Sequence, residues 1–86
     1  MKSILYFTAD WCQPCKKVKP IVEDLNREHF PGIFQIIDVD IETDMAETFK
    51  ISAVPTFILF NDGRESNRVT GVQSKQSLLE FIGNGW

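Results

Sequence analysis

The sequence predicts an α/β fold with the element order βαβαββα, in which helices flank a four-stranded mixed sheet. Short apolar runs that suit buried strands alternate with stretches in which apolar residues recur at helical spacing. Asn61-Asp62-Gly63 lies between an apolar run and a more polar one, which is a strong hairpin signal. A right-handed βαβ crossover makes the first two strands parallel, and the hairpin makes the last two antiparallel.

The first two elements are a strand and an amphipathic helix. Residues 4–7 form a short, uninterrupted apolar run, whose brevity favours a strand covered on both faces. From residue 13 to about residue 28, apolar residues recur at helical spacing between charged ones, namely Val18, Ile21, Val22 and Leu25. Pro14 fits the first turn of this helix, whereas Pro20 lies inside the pattern and is expected to kink the axis.

The next two elements are a strand and a short helix. Pro31-Gly32 ends the first helix, and residues 33–40, which are rich in β-branched side chains, predict the second strand. Thr43 or Asp44 can cap a short helix that runs to about Phe49.

The last three elements follow Val54-Pro55. The apolar residues 56–60 predict a third strand, and the more polar residues 65–70 predict a fourth strand at a sheet edge. Gly71 interrupts the pattern, and Ser74 begins a final helix with apolar positions at Leu78, Leu79 and Ile82.

The composition indicates one soluble globular domain spanning residues 1–86, because 43% of the residues are apolar and can supply a core. The net charge of −3, with mixed signs, argues against a nucleic-acid binder, which usually carries a clustered basic face. The chain has no apolar run near the ~20 residues of a membrane span, and no signal-peptide pattern at its start. We therefore expect a cytoplasmic protein that binds neither nucleic acid nor membranes.

Both cysteines lie within four positions, in the sequence WCQPC at residues 11–15. A disulfide in the cytosol is more often catalytic than structural, and a bridge that closes so short a loop constrains the unfolded chain little. Cys12 is predicted at the start of the first helix, where unpaired N–H groups and the helix dipole favour a thiolate. We expect Cys12 to be an accessible nucleophile and Cys15 to be the resolving cysteine, with Lys16 assisting if its side chain reaches.

Two other interpretations of the cysteines carry less weight. A tetrahedral zinc site needs four ligands, whereas Cys12, Cys15 and the lone His29 supply three. The second alternative interpretation is that the two cysteines are structural thiols that lie close together by chance. We predict no metal and no cofactor, and we interpret His29 as a surface or helix-end residue.

The segment Trp11-Cys12-Gln13-Pro14-Cys15-Lys16, followed by Pro20, resembles the active site of thioredoxins. The likeness runs through nearly the whole chain. Val54-Pro55-Thr56 resembles the cis-proline loop of the family, Asn61-Asp62-Gly63 its hairpin, and residues 71–81 its terminal glycine and helix. The chain begins at the position of the family's second strand, so it is similar to a minimal thioredoxin without the leading strand and helix.

The resemblance implies a thioredoxin-like fold and a thiol–disulfide oxidoreductase that reduces protein disulfides, with electrons from a thioredoxin reductase or a similar donor. It also implies a monomer and a cis bond between Val54 and Pro55. The Val54 backbone would pair with an extended substrate segment beside Cys12. A shallow apolar surface around the sulfur would include Trp11, Ala53, Pro55, Gly71 and Val72. Pro14 and Lys16 would support the active site.

Three positions depart from the family's pattern. Gln13 stands where thioredoxins usually carry glycine, which leaves the redox potential open. Tyr6 and Ile36 replace a buried carboxylate and a lysine that usually serve the resolving cysteine. A tyrosine, with a reference pKa of about 10, is a poor general base at neutral pH. Cys15 is therefore expected to resolve more slowly, to rely on water, or to use Asp10.

Two alternatives to a thioredoxin activity stay open at this point. A glutaredoxin-like protein served by glutathione fits the short length and the missing carboxylate, although Trp11 and residues 55–63 count against it. A binding module with dispensable cysteines is the other.

Overall fold

The computed structural model describes residues 1–84, and this part of the chain contains four strands and three α-helices in the predicted order. In chain order the elements are β1 (Lys2–Thr8), α1 (Gln13–Asp24), β2 (Phe34–Asp38), α2 (Thr43–Thr48), β3 (Thr56–Asn61), β4 (Arg64–Thr70) and α3 (Lys75–Asn84). Residues 85 and 86, which the predicted domain includes, lie outside the described residues.

The four strands form one mixed sheet in the order β2-β1-β3-β4. Strand β1 pairs with β2 in parallel and with β3 antiparallel, and β3 pairs antiparallel with β4. The predicted α/β fold class and the mixed sheet are therefore confirmed. Strand β4 lies at an edge, as its polar sequence predicted, and most of its residues are exposed.

The middle of strand β1, residues 4–7, is apolar because both of its faces are covered there. Ile4 and Tyr6 belong to the larger core cluster, which includes Val22 of α1 and Leu78 of α3. Leu5 and Phe7 belong to the cluster on the other side, against which Met45 of α2 and Phe49 pack. Alternate residues of a strand point to opposite faces, so a continuous apolar run is what a doubly covered strand requires.

Helix α1 ends in a wider turn than the sequence predicted. The α-helical hydrogen bonds stop at Asp24, and Leu25–His29 continue as one π-helical turn, in which the Phe30 N–H donates to the Leu25 carbonyl at 2.7 Å. The side chain of Asn26 then accepts the N–H of Phe34 at 3.0 Å and holds the chain as it enters β2. The predicted extent, to about residue 28, is thus close to the observed one.

The predicted cap of α2 is wrong. Glu42 occupies the N-cap position, and its side chain makes no capping hydrogen bond, whereas Thr43 and Asp44 lie inside the helix. The backbone sets this start, because the Asp38 carbonyl accepts the N–H groups of Ile41 at 3.1 Å and Glu42 at 2.8 Å. The chain therefore turns into α2 through backbone hydrogen bonds and without a side-chain cap.

The hairpin and the start of α3 match their predictions. Asp62 and Gly63 have φ angles of 53° and 84°, which is the left-handed pair that a two-residue type I′ turn needs. Ser74 caps α3, because its Oγ accepts the N–H of Ser77 at 3.0 Å.

An ion pair ties the end of α1 to the start of α3. The Lys75 ammonium donates to the carboxylate of Asp24, and this interaction lowers the pKa of Asp24. Both side chains are partly exposed, so solvent screens the interaction.

We expect Lys75→Met to lower the free energy of unfolding at pH 7, and we expect that loss to disappear in acid. The folded-state pKa of Asp24 lies below its unfolded value. The contribution of the ionised Asp24 carboxylate to the free energy of unfolding is therefore complete well above the unfolded pKa of about 3.9. It is lost as the pH falls through the folded-state pKa.

Urea denaturation of both proteins from pH 7 into the acid range measures this difference, with Lys17→Met, an exposed lysine of α1, as the control. A parent–variant difference that stays constant down to the lowest pH would contradict the assignment.

Candidate active site

Cys12 is the N-cap residue of α1. Its backbone is extended (φ −83°, ψ 106°), and its Sγ accepts the N–H of Cys15 at 3.2 Å. The first N–H groups of a helix have no intrahelical partner, so the sulfur here satisfies one of them. The predicted position of Cys12 at the start of the helix is confirmed. An anion at this sulfur is favoured by the N–H dipole and by the positive end of the helix.

Cys12 and Cys15 form a disulfide, with their Cα atoms 5.3 Å apart. This separation lies within the usual range for disulfides, so the first turn of α1 accommodates the bond. The third residue in the zinc interpretation, His29, lies in the π-helical turn at the opposite end of the helix. The two sulfurs are therefore brought together with each other and not with the histidine.

The expectation of an accessible Cys12 sulfur is wrong for the closed disulfide. Both cysteines are only 3% exposed, and they form a small buried cluster with Ala9. Val39 and Val54 pack against this cluster. Apolar side chains from the ends of neighbouring elements cover the bond, which sequence spacing alone did not indicate. Attack on it by a bulky thiol requires local movement of this cover.

The loop before β3 brings a backbone carbonyl to the Cys12 sulfur. The Val54–Pro55 peptide bond is cis, and the Val54 carbonyl oxygen lies 3.6 Å from the Sγ of Cys12. Gly71 holds the loop from the other side, because its N–H donates to the Pro55 carbonyl at 2.8 Å. Gly71 has a φ of 98°, a conformation that side chains disfavour, which explains the glycine. Pro55 itself is buried.

Trp11 forms one wall of a shallow pocket beside the disulfide. Its side chain is 66% exposed, and its indole N–H donates to Oδ2 of Asp40 at 2.8 Å. The pocket has a volume of about 160 Å³ and is lined by Trp11, Val39, Ile51, Ser52, Ala53 and Val54. Val72, beside Gly71, is also exposed. The predicted residues Trp11, Ala53 and Val54 thus share one surface.

Pro14 and Lys16 lie on the first turns of α1, and both are exposed. Lys16 lines a second cavity, one that reaches Cys15. Lys16 and Cys15 thus line the same cavity.

Tyr6 is buried beneath the first turn of α1. Its ring stacks on Phe57 with the centroids 4.8 Å apart, and its hydroxyl lies 3.4 Å from the Thr8 hydroxyl and 3.5 Å from the Cys15 carbonyl. Burial raises the pKa of Tyr6, so the side chain is neutral at pH 7. Its register partner Ile36 is 53% exposed. A neutral phenol can donate or accept a hydrogen bond here, but it is not a base.

Sequence reasoning missed Asp40 and Val39. Both follow β2, whose carboxyl end lies next to that of β1, since Thr8 and Asp38 are register partners. The N–H of Val39 also donates to the Thr8 carbonyl at 2.9 Å. The carboxyl ends of parallel strands meet at one edge of a sheet, so the parallel pairing was a usable signal for both residues.

Comparisons with known proteins agree with this geometry. The Thioredoxin family model matches residues 1–84. Over 79 residues, 92% of this chain and 78% of the relative, the chain is 38% identical to the thioredoxin of Chlamydia caviae. It is 38% identical to the thioredoxin of Mycobacterium bovis over 77 residues, 88% of this chain and 66% of the relative. The structure is similar to that of Fasciola hepatica thioredoxin, with a TM-score of 0.90, 33% identity, and coverage of 99% and 81% of the two chains.

We expect Asp40→Ala to free the Trp11 ring with little effect on stability. The substitution removes the acceptor of the indole N–H. Asp40 is exposed, and replacement of an exposed side chain usually changes the free energy of unfolding by about 0.5 kcal/mol or less. Fluorescence anisotropy decay of Trp11, measured in a Trp86→Phe background, is expected to show faster local rotation of the ring.

Glu42→Ala, an exposed acidic residue near Asp40 in sequence, is the matched control. Equal ring motion in the two variants would show that the hydrogen bond does not hold Trp11.

Proposed function

This chain belongs to the thioredoxin family and is a protein disulfide oxidoreductase, and from this premise we propose that Cys12 is its nucleophile and Cys15 its resolving cysteine. The observation that carries the assignment is the hydrogen bond from the Cys15 N–H to the Cys12 sulfur at the N-terminus of α1. The same N–H and the helix dipole stabilise negative charge on Cys12 and not on Cys15, which lies inside the helix.

The reaction proceeds in two exchange steps. The Cys12 thiolate attacks one sulfur of a substrate disulfide, forms a mixed disulfide and releases the other substrate sulfur as a thiolate. Cys15 then attacks the Cys12 sulfur and gives up its proton to a base in the same step. The bond between Cys12 and the substrate breaks, the Cys12–Cys15 disulfide forms, and the second substrate thiolate leaves. Cys15 is held three residues away in the same turn, so this second step is intramolecular and fast.

The substrate-binding surface in this proposal consists of Trp11, Ala53, Val54, Pro55, Gly71 and Val72. Val54 presents its carbonyl beside the Cys12 sulfur, where an extended substrate segment can donate a backbone N–H to it. Pro55 is buried and Gly71 bonds to it, so these two residues position Val54. Trp11 and Val72 are exposed and offer apolar contact. Recognition of main chain accepts substrates of varied sequence.

We propose that the protein acts as a reductant of disulfides. Disulfide-containing proteins are its substrates, a thioredoxin reductase or a similar donor supplies its electrons, and it acts as a monomer in the cytoplasm, where thiol pools are reduced. The thioredoxin relatives support this placement in general terms. None of the helices within residues 1–84 has the length and hydropathy needed to cross a bilayer.

We expect the parent to reduce insulin disulfides with electrons from NADPH and a thioredoxin reductase. Cys12→Ser is expected to abolish this turnover, because it removes the attacking sulfur. Cys15→Ser is expected to stop after the first step and to accumulate a covalent mixed disulfide at Cys12, visible by mass spectrometry.

Glutathione with its own reductase serves as the alternative donor in the same assay. Turnover that is faster with glutathione would contradict the assignment of the donor. Activity retained by Cys12→Ser would contradict the assignment of the nucleophile.

A further inference from the structure

The resolving step requires a proton acceptor for Cys15, and the described structure offers a route to one. Cys15 is only 3% exposed, and it enters the reaction as a thiol. A cavity of about 290 Å³ nevertheless reaches this residue. It is lined by Tyr6, Thr8, Ala9, Asp10, Cys15, Lys16, Lys19, Ile36 and Asp38. Asp10, Lys16, Lys19 and Ile36 are exposed, so the cavity opens at the surface.

The lining supplies no well-suited fixed base for Cys15. Tyr6 is neutral, because burial raises its pKa. Lysine ammonium groups donate and do not accept, which excludes Lys16 and Lys19. Asp38, whose Oδ1 accepts the N–H of Asp40 at 2.8 Å in the turn that leads to α2, is a carboxylate, and a carboxylate is a weak base for a thiol. Asp10 is exposed, and a solvated carboxylate is a weak base for a thiol, whose reference pKa is about 8.5.

We propose that the proton of Cys15 leaves through this cavity to a small base from solvent, and that the cavity is an entry site for such bases. The proposal rests on the proposed function, because it concerns the second step of that reaction. The basic form of imidazole is small and neutral, so it can enter the cavity without the cost of desolvating a charge. Imidazole is therefore the probe.

The step balances without any further reactant. The Cys15 thiol gives its proton to the base as its sulfur bonds to the Cys12 sulfur. The bond between Cys12 and the leaving thiol breaks, and the electron pair of that bond leaves as a thiolate. The rate of the step therefore depends on the concentration of the base as well as on pH, which is the mark of external general-base catalysis.

The test uses the reduced full chain and an aryl disulfide, dithiobis(nitrobenzoate), in stopped flow. The first thionitrobenzoate is released when the aryl group is transferred to Cys12, and the second is released when Cys15 resolves the mixed disulfide. At constant pH and ionic strength, the rate constant of the second phase is expected to rise linearly with the concentration of imidazole, by about twofold or more. The first phase is expected to stay unchanged.

Ile36→Trp narrows the cavity from its exposed wall, and it is expected to reduce the imidazole dependence to less than half. Gln35→Trp is the matched control, since Gln35 is an exposed neighbour on β2 that does not line the cavity. Asp10→Asn and Asp38→Asn are expected to keep the dependence on imidazole.

Two results would overturn the inference. One is a rate constant of the second phase that does not change with the concentration of imidazole in the parent. The other is loss of the second phase in Asp10→Asn or Asp38→Asn, which would identify a fixed protein base. Failure of the proposed function is distinguishable from both, because the aryl group would then not be found on Cys12 in the Cys15→Ser variant after the first phase.

Discussion

The hydrogen bond from the Cys15 N–H to the Cys12 sulfur is the interaction on which the chemistry of this protein depends. It exists because strand β1 ends and helix α1 begins within five residues, so that Cys12 becomes the N-cap. The sulfur takes the place that a serine or aspartate oxygen takes in an ordinary helix cap. In the proposed reaction, the residue that caps the helix is also the nucleophile, and the same N–H donor serves both roles.

The rest of the fold positions the start of α1 and brings other segments of the chain into contact with it. Strand β1 is clamped between two apolar clusters, which fixes the point where the chain turns into α1. The parallel neighbour β2 delivers Val39 and Asp40 to the same edge of the sheet. The cis-proline loop, anchored by Gly71, brings the Val54 carbonyl to the sulfur. Three separate stretches of chain thus converge on one disulfide.

Much of this arrangement could be predicted from the sequence. Apolar periodicity predicted the kinds and the order of the elements, and Asn61-Asp62-Gly63 predicted the hairpin. The position of Cys12 at the start of α1 followed from the predicted boundary between strand and helix. These features depend on local chemistry, which a sequence carries directly. The resemblance to thioredoxins added the cis bond before Pro55 and the surface that contains Trp11.

The features that the sequence did not reveal depend on contacts between distant segments. The cover over Cys12 comes from Val39 and Val54, which are 27 and 42 residues away in the chain. The partner of Trp11 is Asp40; the predicted parallel pairing of β1 and β2 places both residues at one end of the sheet, but the register that brings them together comes only from the structure. The cap of α2 was misjudged because two backbone N–H groups, and no side chain, set its start.

The most direct test of the central claim is the pH dependence of Cys12 alkylation in the reduced Cys15→Ser variant, which keeps the backbone N–H at position 15. Stabilisation of the thiolate at the helix start predicts a midpoint well below the reference thiol pKa of about 8.5, at about 7. A midpoint at about 8.5, equal to that of the same variant unfolded in urea, would contradict the account.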